Sequence, residues 1–189
     1  DSNPKFTLIM ADILTVDFET QIGEKVKVVA NIPYYITSPI INKLIENRKY
    51  VEDIFIMVQK EVAERVCAKS GKERSVLTLS VEYFGEANYL FTIPKEFFTP
   101  PPKVDSAFMS IKLHKDNPYE KIIEENEFFK YVKLAFSNKR KNILNNLSSL
   151  GIEKSKLKEI LENNGFSGNR RAEDFSIDEF MTLIKILKA

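Results

Sequence analysis

The sequence predicts an α/β fold: a parallel, doubly wound sheet with an antiparallel edge, followed by a small all-α C-terminal domain. Three observations predict it. Through the first part of the chain, short apolar runs alternate with segments of helical spacing, the pattern of strand–helix–strand units. Three further apolar runs then follow one another without helices between them. From Glu127 onward the texture is helical throughout.

In chain order, "FTLIMADIL" reads as a buried strand ending at Asp12, "EKVKVVANIP" as a second ending at Asn31, and "VEDIFIMVQ" as a third ending near Gln59. Between them, "SPIINKLIENRK" has apolar residues at helical spacing, with Ser38 as N-cap and Pro39 at the first helical position. "KEVAERVCAK" reads as the next helix. "VLTLSVEYF", "NYLFTI" and "SAFMSIKL" then read as the antiparallel edge. The texture changes at "HKDNPYEK", which places a domain junction near Lys115–Glu120. Three helical runs follow: "EFFKYVKLAFSNKRKNILNNL", "EKSKLKEILENNG" and "SIDEFMTLIKILKA". Gly151 and Gly165 suit C-caps, Ser155 an N-cap, and Ser176 with Glu179 a capping box.

Composition narrows the function classes. At 189 residues, 43% hydrophobic and 29% charged, the chain has the make-up of a globular protein. It contains no apolar run near the ~18 residues that cross a bilayer. The polar start "DSNPKF" is not a signal peptide. A single cysteine, Cys67, rules out a disulfide framework, and a single histidine, His114, argues against triad or His-ligated metal chemistry. No metal is expected, and a reducing, cytoplasmic setting is. Net charge is +1, but positive charge gathers in "KSGKER", "NKRKN" and "NRR", a distribution that suits either solvated faces or a polyanion partner.

In an open parallel sheet, ligands bind outside the carboxyl ends of the strands, where Asp12, Asn31 and Gln59 fall. The stretch "NIPYYITSP" ends an apolar run on an amide, a rigid Ile-Pro step and two phenol rings. The Asn31 amide oxygen and a nearby backbone carbonyl can both accept hydrogen bonds from one amino group, and a following ring can stack on the base that bears it. That arrangement suits the planar exocyclic amine of a nucleobase swung out of its helix. Two acceptors favour a pyramidal nitrogen, whose lone pair can attack an electrophilic methyl. The alternative is that Asn-x-Pro merely ends a strand and the tyrosines pack in the core.

"NIPYYITSP" resembles motif IV of the amino-methylating, S-adenosylmethionine-dependent methyltransferases. "MVQKEVAERV", "FFTPPPKVDSAF", "AFSNKRKNILNNL" and "RRAEDFSIDEF" resemble, in collinear order, segments of one branch: the KsgA-type ribosomal RNA adenine N6,N6-dimethyltransferases. Ala172 stands where that branch usually has proline. The resemblance implies an incomplete Rossmann-like methyltransferase sheet over residues 1–115, starting near the third strand, and a helical domain over residues 116–189. It implies that Asp12 and Ile13 hold the adenine of S-adenosylmethionine, with Asn31 at the same site. Asn31 and the Pro33 carbonyl would hold the target amine, Tyr34 would stack on the target adenine, and Phe98 would form a second wall. A core role for Phe98 is the alternative, and Tyr35, where the family often has asparagine, is given no role. The basic clusters make Lys103, Lys139, Arg140, Lys141, Arg170 and Arg171 the candidate RNA contacts; the alternatives are a stiff connector at "TPPPKV" and a merely solvated face for the basic residues.

The chain departs from the family in one respect. It has only 6 glycines, none in a Gly-x-Gly pattern, and no acid after a second strand. Two absent βα units of roughly 30 residues each account for the gap, and the lack of an initiating methionine agrees. The expectation is therefore an N-terminally truncated chain with weakened or lost cofactor binding and an open sheet edge. The implied activity of the intact protein is dimethylation of two adjacent adenosines near the 3′ end of small-subunit ribosomal RNA. Its partners would be that RNA and the immature small subunit, bound by a monomer away from any membrane. Two alternatives stand beside it: a non-catalytic RNA-binding assembly factor, and a macrolide-resistance type methylase of large-subunit RNA.

Overall fold

A computed structural model of the chain describes residues 6–188; the polar start at residues 1–5 and Ala189 lie outside the described residues. A short helix α1 (Phe18–Gln21), N-capped by Asp17, precedes strand β1 (Val26–Asn31). Helix α2 (Thr37–Glu46), strand β2 (Val51–Gln59) and helices α3 (Lys60–Cys67) and α4 (Val76–Phe84) follow. Strands β3 (Gly85–Ile93) and β4 (Ser106–Leu113) complete a four-stranded sheet of order β1-β2-β4-β3. β1 and β2 are parallel, while β4 is antiparallel to both β2 and β3. Four helices end the chain: α5 (Glu125–Ala135), α6 (Ile143–Leu147), α7 (Lys154–Asn163) and α8 (Ile177–Lys188). No helix among the described residues is long and apolar enough to cross a membrane.

The mixed sheet and the helical tail follow the sequence expectation, and five local expectations are corrected. "FTLIMADIL" is not a strand. A strand requires a partner for its backbone groups, and β1 pairs only with β2 among the described residues. The segment instead leaves Leu8 68% and Met10 88% exposed. "VLTLSVEYF" is helix α4 rather than a strand. Such an apolar run satisfies both periods, and a capping box formed by Ser75 and Thr78 decides for the helix.

Ser38 does not cap α2. The helix begins at Thr37, whose hydroxyl donates to the Tyr34 carbonyl (3.1 Å), and Pro39 occupies the first turn, where its missing N–H costs nothing. Ser155 lies inside the first turn of α7 and donates to Glu153, the residue that precedes the helix. The long basic run is not one helix: it breaks between Ala135 and Ile143, and Lys139–Lys141 ride in the intervening loop. The Asn146 amide pins that loop by donating to the Ala135 and Asn138 carbonyls (2.5 and 3.1 Å). Gly151 and Gly165 do end their helical segments in the left-handed region, at φ of 80° and 79°.

Alternation along β2 buries Ile54, Ile56 and Val58 on one face. On β1 the other face is open, with Val29 72% exposed. The helical tail docks through aromatics: Tyr83 of α4 stacks on Phe128 of α5 at 4.7 Å, and its hydroxyl donates to the Ile123 carbonyl (2.8 Å). Burial of that phenol pushes its pKa up to about 12, so it remains a donor across ordinary pH.

Candidate active site

Register places the site. Asn31 lies opposite Met57, and Gln59 and Ile93 both lie opposite Ser106. The carboxyl ends of β1, β2 and β3 and the start of β4 therefore form one rim of the sheet. A cavity of about 380 Å³ opens there. Asn31, Pro33 and Tyr34 line one side, Phe98, Pro100 and Pro102 the other, and Met57 lies between. The structure thus brings together the four residues expected to handle a target base. Asp12 and Ile13 do not line this cavity.

The Asn31 side chain makes no hydrogen bond to another described residue, which leaves its amide oxygen open to a ligand. The Pro33 carbonyl accepts the Ile36 N–H (3.2 Å) and keeps a second lone pair. Tyr34 opens a short 3₁₀ turn over Tyr34–Ile36. Its hydroxyl shares a hydrogen bond with the fully buried Ser106 hydroxyl, so the ring is fixed at both ends. Ser106 and Met57 were not legible as site residues. Their place depends on long-range strand pairing, and the sequence signals were only the positions of Ser106 inside "FFTPPPKVDSAF" and of Met57 at the head of "MVQKEVAERV".

Asp12 sits in a turn of its own making: its Oδ1 accepts the Leu14 N–H (2.9 Å). Its other carboxylate oxygen has no partner among the described residues, and Ile13 is half-buried beside it. That oxygen can accept a further hydrogen bond.

The basic residues separate into two kinds. Lys103 and the loop residues Lys139, Arg140 and Lys141 are exposed. Arg74, inside the "KSGKER" cluster, is instead buried and forks onto Glu82 (2.9 and 2.6 Å). Arg170 is bidentate to Glu179 (2.7 and 2.9 Å) and lies 4.0 Å over the Phe175 ring. Arg171 is half-exposed, 3.9 Å from Glu173. The Ile143 N–H donates to the Arg170 carbonyl (2.7 Å), which sets the Arg170–Arg171 segment beside the basic loop.

The Arg170 guanidinium holds the Glu179 carboxyl below its usual range. A depressed carboxylate stabilises the fold above its unfolded pKa, and that contribution is lost as pH falls through the folded value. Thermal melting should therefore fall below about pH 4.5, and Glu179→Gln should flatten this acid limb; an unchanged limb would contradict the linkage.

The family model described as ribosomal RNA adenine dimethylase matches residues 1–189. A protein of Fusobacterium nucleatum named ribosomal RNA small subunit methyltransferase A is 63% identical over 187 residues, covering 99% of this chain and 71% of the relative. The protein of the same name from Caldanaerobacter subterraneus is 41% identical, covering 95% of this chain and 67% of its own. Among solved structures, a dimethyladenosine transferase from Plasmodium falciparum superposes with a TM-score of 0.67 at 27% identity, over 86% of this chain and 66% of its own. The 23S rRNA methyltransferase ErmE has a TM-score of 0.75 over 98% of this chain and 73% of its own; at 24% identity it speaks for the fold alone. With a whole-length family match and a 63% identical relative, the chain belongs to the ribosomal RNA adenine dimethylase family.

Proposed function

We propose that this chain carries the target-adenosine site of an enzyme that uses S-adenosylmethionine to dimethylate N6 of two adjacent adenosines near the 3′ end of small-subunit ribosomal RNA. The observation that carries the reading is the rim cavity that assembles Asn31, Pro33, Tyr34 and Phe98. A flipped adenine enters between the Tyr34 and Phe98 rings and loses its stacking in the helix to gain theirs. The Asn31 amide oxygen and the free lone pair of the Pro33 carbonyl accept the two N6 hydrogens. Holding both draws the nitrogen toward a pyramidal geometry and localises its lone pair. The proton leaves after the new bond forms, so no strong base is needed, and none lines the cavity.

Asp12 and Ile13 fit the adenine end of S-adenosylmethionine, through the free carboxylate oxygen and an apolar contact. When bound, that cofactor supplies the electrophilic methyl. The residues that hold its ribose and methionine in the resembling family have no counterpart here, since the chain has only 6 glycines and no Gly-x-Gly. The chain by itself should therefore bind S-adenosylmethionine weakly or not at all in calorimetry; micromolar affinity would contradict this.

The division into a methyltransferase part through residue 115 and a helical part from residue 116 is part of the same proposal. The helical part presents the basic loop to the immature small subunit, which a single copy of the protein engages. Replacing Lys139, Arg140 and Lys141 together by alanine should weaken binding at every RNA site alike. It should also lower the slope of log affinity against log salt by roughly 0.7–0.9 per lost contact. Which adenosine is methylated should not change. Filter binding over a salt series checks this, and unchanged affinity and slope would remove the loop from the footprint.

A methyl-transfer assay with the full-length gene product tests the function. Label should enter assembled small subunits. Label confined to large-subunit RNA would favour the macrolide-resistance type. Binding to immature small subunits with no label would favour a non-catalytic assembly factor.

A further inference from the structure

Two aromatic side chains flank the target cavity without entering its lining. Tyr35 is 86% exposed and Phe97 79% exposed, and among the described large apolar side chains only Met10 is as open. Tyr35 follows Tyr34 on one side of the cavity, and Phe97 precedes Phe98 on the other. Neither ring contacts another aromatic ring among the described residues. Each rides on a fixed single turn. Tyr35 is in the turn braced by Pro33 and Thr37. Phe97 is in a 3₁₀ turn over Lys95–Phe97, whose first N–H donates to Asp105 Oδ1 (3.1 Å). Pre-organised, exposed rings on both sides of one cavity are a costly way to fill a surface and a suitable way to hold planar ligands.

A second cavity of about 400 Å³ adjoins the Phe97 side, where Pro102 lines the first and Lys103 the second. It gathers Lys60, Lys95 and Lys103. None of the three makes an ion pair among the described residues. Of the acids beside them, Glu61 pairs with Arg65 (2.6 Å), and one Asp105 carboxylate oxygen accepts the Lys95 backbone N–H (3.1 Å), while the Asp105 backbone carbonyl accepts the Lys60 N–H (3.0 Å). Glu64 is the remaining carboxylate in the lining.

We propose that this rim is a subsite for the nucleotides on either side of the target adenosine, with Tyr35 and Phe97 stacking on flanking bases and Lys60, Lys95 and Lys103 meeting phosphates. The inference rests on the adenine reading of the central cavity. When one base leaves a single strand, its neighbours lose a stacking partner, and exposed rings replace it. Stacking is indifferent to salt, whereas phosphate neutralisation is not, so the two parts of the subsite have separable signatures.

The test uses the full-length gene product and a labelled pentaribonucleotide centred on adenosine, titrated by fluorescence anisotropy over a salt series. Tyr35→Ala with Phe97→Ala should weaken binding by on the order of tenfold or more at every salt concentration, with the slope unchanged. Tyr35→Phe with Phe97→Tyr should bind like wild type. Lys60→Ala with Lys95→Ala should weaken binding and lower the slope by about 0.7 per lysine. Wild-type affinity in the aromatic double variant, alongside a loss in Tyr34→Ala, would overturn the subsite and leave the adenine reading standing. No binding of the pentanucleotide by the wild type would overturn both. Normal pentanucleotide binding with lost docking to small subunits would make the rim a protein contact and also overturn the proposal.

Discussion

Asn31→Ala in the full-length protein is expected to lower kcat for methyl transfer by on the order of 10²–10³ while leaving RNA affinity nearly unchanged. The side chain has no hydrogen bond to another described residue to lose, so the described fold should not notice the change. Its amide oxygen acts on the amine as that amine reacts, and an interaction made mainly in the transition state shows up in kcat rather than in binding. Single-turnover kinetics with pre-bound RNA isolates the step. Near-normal turnover in this variant would remove Asn31 from the chemistry.

Tyr34→Ala is expected to be much worse than Tyr34→Phe. Losing the ring forfeits a base stack of ~1–3 kcal/mol, about 5- to 150-fold in the affinity for the flipped state. Losing only the hydroxyl breaks the bond to Ser106 and leaves a buried oxygen without its partner, a cost of about 1–3 kcal/mol that falls on the fold more than on the base. The two variants should therefore diverge in kinetics, with Tyr34→Phe showing a lowered melting temperature and largely retained activity. Equal loss of activity in both would mean that the hydroxyl, not the ring face, is the operative group.

The central site was legible because its signal is local. An apolar strand ending in Asn-Ile-Pro-Tyr specifies an acceptor, a rigid turn and a ring within four residues. Strands β1 and β2 were legible because β-branched runs bounded by polar residues favour a strand, and β4 because Ala107, Met109 and Ile111 alternate along it. Helix α4 was not, because its nine-residue, mostly apolar run satisfies both periods and the deciding Ser75–Thr78 cap lies at its edge. The Phe6–Met10 segment looked like a strand because apolarity marks what wants burial; whether it pairs depends on a neighbour that local sequence cannot supply. The Tyr34–Ser106 contact spans 72 positions and becomes visible only once β2 and β4 are paired. The same limit hid the state of the basic residues. Arg74, Arg170 and Lys139 look alike in sequence, yet burial and carboxylate partners engage the first two and leave the third open.

Nucleoside mass spectrometry of ribosomal RNA, from cells that lack their own dimethylase and express the full-length gene, tests the account most directly. The expected result is N6,N6-dimethyladenosine at two adjacent positions near the 3′ end of small-subunit RNA, and its absence when Asn31→Ala is expressed at the same level. Unmodified small-subunit RNA in cells that express the wild type, or an undiminished mark with Asn31→Ala, would contradict it.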